Sequence, residues 1–451
     1  MTTTYDPFHP AYLVVDDLRE EMDRVYDLCH GCRLCFKFCP AFPTLFDAID
    51  RHDDQDSHKL TDQERFQVVD ECFNCKLCGE LNCPYTPGKH EWALDFPRLM
   101  LRAKATQHAT EKKPIRTKIT DQALGRTDLS GRVGSALAAV SNKIVATPGS
   151  APRKALEATT GISSERILPP YTKQRFSRWF AGRDASSGDG PPTEAQGHAT
   201  LFPTCLVEYQ DTAIGQDLVK VLDRNRVTCD LPEGQQCCGA PFLHQGNLAA
   251  FTKLGRQNVE VLAAALRQSD ARGEPSTVVV PEPTCSFVLK NDYPAYIGGA
   301  DAELVAERTM DAAEYLWKQV HKGDGTALDT EFTGEVPDEV TYHAACHLRA
   351  QNIGYKSRDL LKLTGTKVRL VAECSGIDGT WGLRAENLAD ARKVARKLTA
   401  GIEKAGNSVV CGDCSLANGG IALETGARPS HPIQVVARAY DLPPEPDATS
   451  R

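Results

Sequence analysis

The run CHGCRLCFKFCP at residues 29–40 and its longer echo CFNCKLCGELNCP at residues 72–84 decide how the first part of this 451-residue chain folds. In the first, Cys29, Cys32, Cys35 and Cys39 precede Pro40; in the second, Cys72, Cys75, Cys78 and Cys83 precede Pro84. Cysteines spaced by three let one loop present three thiolates to a single cubane, and the fourth must arrive from elsewhere. In two-cluster ferredoxins the last cysteine of each run serves the other cluster. The expected sets are therefore Cys29, Cys32, Cys35 with Cys83, and Cys72, Cys75, Cys78 with Cys39, each holding a 4Fe-4S cluster. Zinc also uses CxxC pairs, but it needs only four ligands, so two triple-spaced runs each ending in CP favour iron–sulfur. Crossed ligation holds two redox centres close together, which makes an electron relay.

The flanking sequence carries these runs on helices. Leu13, Leu18, Met22, Val25 and Leu28 stand at helical spacing before the first run, so residues 1–28 read as a helix leading into it. Before the second run, Thr61 and Glu64 form a capping-box pattern, and Phe66, Val69 and Phe73 continue an apolar face. A helical ferredoxin module over residues 1–104 follows.

Composition bounds the rest. Hydrophobic residues make up 41% and charged residues 25%, ordinary for a globular protein of two or three domains. The opening MTTTYDPFHPAYLVVDDLREE has no basic stretch followed by an apolar one. Seventeen cysteines are therefore read as metal ligands in a reducing compartment, cytoplasmic or peripheral on the inner face of a membrane. No apolar run is long enough for a transmembrane helix. Net charge is −8, yet residues 101–183 carry sixteen Lys and Arg against five Asp and Glu. Such a basic insert either is a solvated face or meets an acidic partner or an anionic membrane surface; nucleic acid is not expected. Residues 105–197 read as a basic helical connector, and DASSGDGPPTEAQGH (184–198) has the composition of a flexible linker.

Beyond the linker the chain reads twice through one pattern. ATLFPTCLVEYQDTAIG and VTYHAACHLRAQNIG each present a short strand ending at a cysteine, so Cys205 corresponds to Cys346. CCGA at 237–240 matches CSGI at 374–377, and each precedes a long helical segment. VVVPEPTCS then places Glu282 and Cys285 where VVCGDCS places Cys411 and Cys414. Two α/β units are expected, over 198–335 and 336–445, with cysteines at the C-terminal ends of strands. The fold class is thus α plus α/β. The first metal site comprises Cys205, Cys237, Cys238, Cys285 and Glu282; the second comprises Cys346, Cys374, Cys411 and Cys414. Cys229, in RVTCD, fits neither copy and reads as a core cysteine.

These two sets, with the segments TDLSGRVGSALAAVSNK, LPPYTKQRFSRWF, ACHLRAQNIG and CSGIDGTWGLRAEN, make the chain resemble the cysteine-rich CCG-domain iron–sulfur oxidoreductases. That family includes the iron–sulfur subunit of heterodisulfide reductase and the C subunit of anaerobic glycerol-3-phosphate dehydrogenase, whose module order is the same. Full motifs in the family supply five cysteines, which in the heterodisulfide reductase branch hold a non-cubane 4Fe-4S cluster. Here Glu282 stands where the final CxxC begins in the first copy, and Ser375 replaces a cysteine of the pair in the second. Four thiolates suit a cubane or zinc, and a carboxylate or hydroxyl beside them would leave one iron more labile. One or two further iron–sulfur clusters, zinc in one site, or an empty cysteine set remain the alternatives.

His244, His343 and His347 lie near these cysteines and read as structural histidines or as groups that tune a cluster; Arg349 and Arg384 are candidate anion contacts. The chain has no GxGxxG after a strand and no P-loop. Hydride chemistry would then fall to a partner flavoprotein dehydrogenase or other redox protein. The function expected is an electron-transfer subunit passing electrons through 4Fe-4S clusters to a quinone or other acceptor, with contact to a quinone or membrane anchor. The alternative is a heterodisulfide-reductase-like enzyme reducing a disulfide at a C-terminal cluster.

Overall fold

A computed structural model describes residues 4–183, 195–321, 328–377, 379–406 and 409–445. Most of the expected linker, residues 184–194, lies outside them. The first module is helical. Its leading helix spans Val15–Cys32 rather than starting earlier, because Pro7 and Pro10 hold residues 7–13 in turns and Asp16 and Asp17 suit the positive N-terminal end. Leu18, Met22 and Val25 are buried against Leu45, Phe46 and Ile49 of the helix Ala41–Asp50 and Leu99 and Met100 of the helix Phe96–Thr110. Thr61 caps the helix Asp62–Asp70 with both bonds of a capping box to Glu64, as the sequence predicts.

Five helices form the connector: Ile115–Gly125, Thr127–Ala136, Ala138–Val145, Ala151–Thr160 and Phe176–Ala181. Two small parallel sheets follow. The first contains β1 (Gly197–Leu201), β2 (Val227–Asp230), β3 (Ser276–Val280) and β4 (Thr309–Asp311) in the order β2-β1-β3-β4. The second contains β5 (Glu339–His343), β6 (Lys367–Val371) and β7 (Val410–Gly412) in the order β6-β5-β7. Superposing the orders matches β1 to β5, β2 to β6 and β3 to β7, so the sequence repeat is a topological repeat to which the first copy adds β4. Long helices, Leu248–Ala271 and Leu388–Ala405, precede the third strand of each copy and cross back over the sheet, as parallel pairing requires.

The modules interlock. Connector backbone pairs with the second α/β unit through Ser163 N to Leu383 O (2.9 Å) and Ala385 N to Gly161 O (2.9 Å). Arg166 donates to Gly382 O (2.7 Å), and the buried Arg153 guanidinium donates to Ser163 O and Arg166 O. These bonds pin residues 382–385, and the nearby Trp381 packs at a tilt, 4.7 Å between ring centres, against Phe73 of the second ferredoxin run.

Candidate iron–sulfur centres and the cavity between them

In the helical module the last turn of Val15–Cys32 supplies Cys29 and Cys32, and the following loop supplies Cys35. Cys83 joins them: the four line one small pocket, walled by Leu28, Phe42 and Phe46. Burial, then the neighbouring Cys35, Cys83 and Cys32, push the Cys29 thiol well up. The Cys39 thiol is raised by burial and then by Cys72 and Cys75. Cys78 is raised by burial, Cys75 and Cys72, and also by Cys35 of the other set. Each last cysteine thus keeps company with the other run, and the two sets adjoin.

Thiols that oppose one another's ionisation in a low dielectric fit a polycationic core, which would neutralise them together. Polar groups around them fit sulfur acceptors as well. Asn82 Nδ2 donates to Cys35 Sγ (3.4 Å), and the buried Asn74 amide, between Cys72 and Cys75, has no partner for either polar atom.

In the α/β units every ligand candidate sits in or just beyond the C-terminal end of a parallel strand. Cys205 follows β1 and Cys285 follows β3, each on a short helix; Cys237 and Cys238 follow β2. The four gather: Cys285 donates to Cys238 Sγ at 3.3 Å, and Gly239 N donates to Cys237 Sγ at 3.5 Å. Cys237 accepts from Cys205 and Cys238, and those bonds hold its thiol well below the usual range while raising Cys205 and Cys238. Gly376 N repeats the turn in the second copy, donating to Cys374 Sγ at 3.4 Å. Both glycines have positive φ, +87° and +68°, and a Cβ would lie 2.8 Å from Phe251 and 2.1 Å from the Ala391 carbonyl oxygen. The glycine of each motif therefore lets the cysteine turn sit on the helix that follows.

In the second copy Cys346, Cys374 and Cys414 line one pocket, together with Cys75 of the ferredoxin module. Cys411 stands apart, on β7, packed fully buried among Val340, Tyr342, Leu361 and Val435. As the side chains stand, no group of three or more His, Cys, Asp or Glu among the described residues is arranged to hold a metal ion.

Glu282 reaches away from its own copy. Its carboxyl accepts from Ser415 N (3.2 Å to each oxygen) and from Ser415 Oγ, at the start of the helix Ser415–Thr425. Burial raises it to about 8, against the lowering effect of those bonds. It also lines a cavity of about 200 Å³ whose wall includes Cys205, Cys237, Cys238 and Cys285 of the first copy and Cys414 of the second. Most of that lining is apolar, with Leu124, Val145, Ile162, Leu168, Leu383 and Leu416, and the connector helices form one side.

The histidines divide. His347 Nε2 faces the Asn74 carbonyl (3.1 Å), so it must donate, which leaves Nδ1 to accept from Thr284 Oγ1 (3.0 Å). One ring thereby joins the ferredoxin loop, the first α/β unit and, through its neighbour Cys346, the second. Burial holds it neutral, lowered to about 4. His343 is likewise lowered to about 4 by burial and bonds the Glu373 carbonyl (3.0 Å). His244 lines the cavity, its ring 6.0 Å from His347, and burial lowers it strongly. The expected anion contacts are engaged internally: Arg349 donates to Ala372 O (2.6 Å), and Arg384 pairs with Asp121 (2.5 Å). Asp121 of the connector answers the Arg384 charge, whereas Arg349 meets only a neutral carbonyl and its buried Nε has no hydrogen-bond partner. Cys229 packs into the core beside Val227 and Leu231, its thiol raised by burial. Sequence reading missed Asn74 and Thr284 as the two ends of the His347 bridge, since both are local loop residues until the modules meet.

Comparison with known proteins identifies the domains that carry these cysteines. Residues 21–118 match a 4Fe-4S dicluster domain, and residues 199–290 and 340–417 match the cysteine-rich CCG domain. The chain is 28% identical to the C subunit of the anaerobic glycerol-3-phosphate dehydrogenase of Escherichia coli, over 76% of its own length and 81% of that protein's. It is also 28% identical to lactate utilization protein A of Bacillus pumilus, over 52% of this chain and 94% of the relative. With its cysteines gathered at strand ends and helix ends in this way, the chain carries a match to a 4Fe-4S dicluster domain followed by two matches to the cysteine-rich CCG domain.

Proposed function

We propose that this chain is the electron-relay subunit of an oxidoreductase complex, taking electrons from a flavoprotein dehydrogenase and delivering them to a quinone or another acceptor. Four-iron clusters held by the two ferredoxin sets, and by the thiols of the two CCG sites, would supply one-electron carriers. The observation that carries the reading is the shared pocket in which Cys75 of the ferredoxin module meets Cys346, Cys374 and Cys414. His347 supports it, because its ring fixes the peptide before Cys75 against the residue after Cys346. The order of sites in space then differs from their order in the chain: the second CCG site adjoins the ferredoxin pair, and the first lies across the apolar cavity. The relatives' names, one a subunit of glycerol-3-phosphate dehydrogenase and one concerned with lactate utilization, support a small hydroxylated metabolite as the electron source of the complex.

A second reading is favoured by the cavity itself. Thiols from both CCG copies face one apolar space, a geometry suited to a disulfide substrate cleaved between two centres. Anaerobic iron, sulfide and zinc analysis with a reductive titration followed by electron paramagnetic resonance tests the relay. About sixteen iron and sixteen sulfide per chain supports four centres; about eight iron confines electron transfer to the ferredoxin pair and refutes the extended relay. Disulfide reductase activity of the isolated chain with an artificial donor would favour the second reading.

A further inference from the structure

The second CCG site is one thiol short of the first. Cys205, Cys237, Cys238 and Cys285 gather in the first copy, whereas three of the expected thiols, Cys346, Cys374 and Cys414, line the pocket of the second. Ser375 takes the place of a cysteine of the pair, and Cys411 lies in the sheet core, on a strand paired to β5. No ligand set among the described residues is preformed, so loading requires side chains to turn. Thiols that line one pocket can meet a common metal by rotating about their side-chain bonds, but Cys411 would have to pull β7 away from β5. A closed thiolate site takes four ligands, so the pocket needs one more.

His343 offers a lone pair at that point. It ends β5, three residues before Cys346, so one turn carries both in the spacing of a CxxC pair. The residue is 2% exposed and lines the same pocket as the three thiols. Its Nε2 faces the Glu373 carbonyl at 3.0 Å, and a carbonyl can only accept, so Nε2 carries the proton and Nδ1 is a bare acceptor. Nδ1 is buried and has no hydrogen-bond partner. Buried acceptors are rarely left unanswered, and metal-bound histidines characteristically donate their other ring nitrogen to a carbonyl or carboxylate. The other histidine lining this pocket, His347, has both nitrogens engaged, on Thr284 and Asn74. In the first copy Phe202 stands at the position of His343, beside a set that already has four cysteines.

We propose that His343, through Nδ1, is the fourth protein ligand of the second CCG site, joining Cys346, Cys374 and Cys414 in place of Cys411. The assignment concerns the ligand: three thiolates and an imidazole suit a 4Fe-4S cluster or zinc alike, so it does not depend on the relay. Metal analysis and pulsed electron paramagnetic resonance of the full-length, anaerobically purified chain test it. In the reduced protein one cluster signal is expected to show a nitrogen coupling, lost from Cys374→Ala and from His343→Cys. Where analysis finds about one zinc per chain instead, zinc X-ray absorption should fit three sulfurs and one nitrogen. His343→Ala is expected to lose the site's metal, about four iron or one zinc per chain, and His343→Cys to restore it, a rescue that a merely structural histidine would not show. Cys411→Ala should keep full metal content. The nitrogen measurement is made on the unaltered chain, so misfolding of His343→Ala leaves the test intact. Sulfur-only coordination at the site, a second site without metal, or full metal in His343→Ala with loss in Cys411→Ala would overturn the proposal. About eight iron with one nitrogen-bound zinc would refute the extended relay and leave His343 in place, whereas about sixteen iron without nitrogen coupling would do the reverse.

Discussion

Glu282 offers the sharpest test of how the CCG sites are built. Buried against the Ser415 end of the second copy, its carboxyl is raised from 4.5 to about 8, chiefly by burial. In the unfolded chain it ionises near its ordinary value, so the folded state binds the extra proton between about pH 4.5 and pH 8. The stability this proton confers is complete below the lower value and is lost as pH rises through the upper one. At 1.36 kcal/mol per decade, the full window corresponds to about 5 kcal/mol. Glu282→Gln mimics the protonated form and is expected to remove most of the loss of stability between about pH 4.5 and pH 8, because the glutamine keeps an acceptor for Ser415 and cannot ionise. Urea unfolding at several pH values reads the magnitude, and an infrared carboxylic-acid band present near pH 6, lost near pH 9 and absent from the variant reads the proton directly. A carboxylate ionised at pH 6 in the metal-loaded protein would refute the reasoning and assign Glu282 to a metal instead.

Four further outcomes follow from the geometry. Cys83→Ser is expected to alter the paramagnetic signal of the cluster held by Cys29, Cys32 and Cys35 and spare the other; loss of the other signal alone would reverse the assignment. Gly376→Ala, forced to positive φ with its Cβ on the Ala391 carbonyl, should destabilise the second CCG unit by about 2–4 kcal/mol, read as a lower unfolding midpoint. His347→Phe leaves the Asn74 carbonyl without its donor, which costs about 1–3 kcal/mol, and should slow reduction of the C-terminal sites with iron content intact in rapid-mixing experiments. Cys411→Ala is expected to retain the second site's metal, whereas Cys374→Ala loses it, as metal analysis would show.

Much of this protein was legible in its amino-acid order because cluster chemistry is local. Three thiolates spaced by three residues must converge whatever the surroundings, and a motif such as CCGA or CSGI needs its glycine for the same steric reason in either copy. The doubled strand–cysteine–helix pattern foretold two parallel units with ligands at strand ends, since parallel strands bring all their C-terminal ends to one edge of the sheet. Tertiary structure alone decided what stands beside what. Cys411 matched a ligand position by alignment of the copies, yet its side chain faces the sheet core, while Glu282 reaches across to cap a helix of the other copy. Arg384 looked available to an anion and is claimed by Asp121 in the connector, 263 residues away in sequence. Adjacency of the second CCG site to the ferredoxin pair and the cavity between the two sites depend on contacts between segments far apart in sequence. Local spacing carries no record of such distances, which are set by how the modules bury their surfaces against one another.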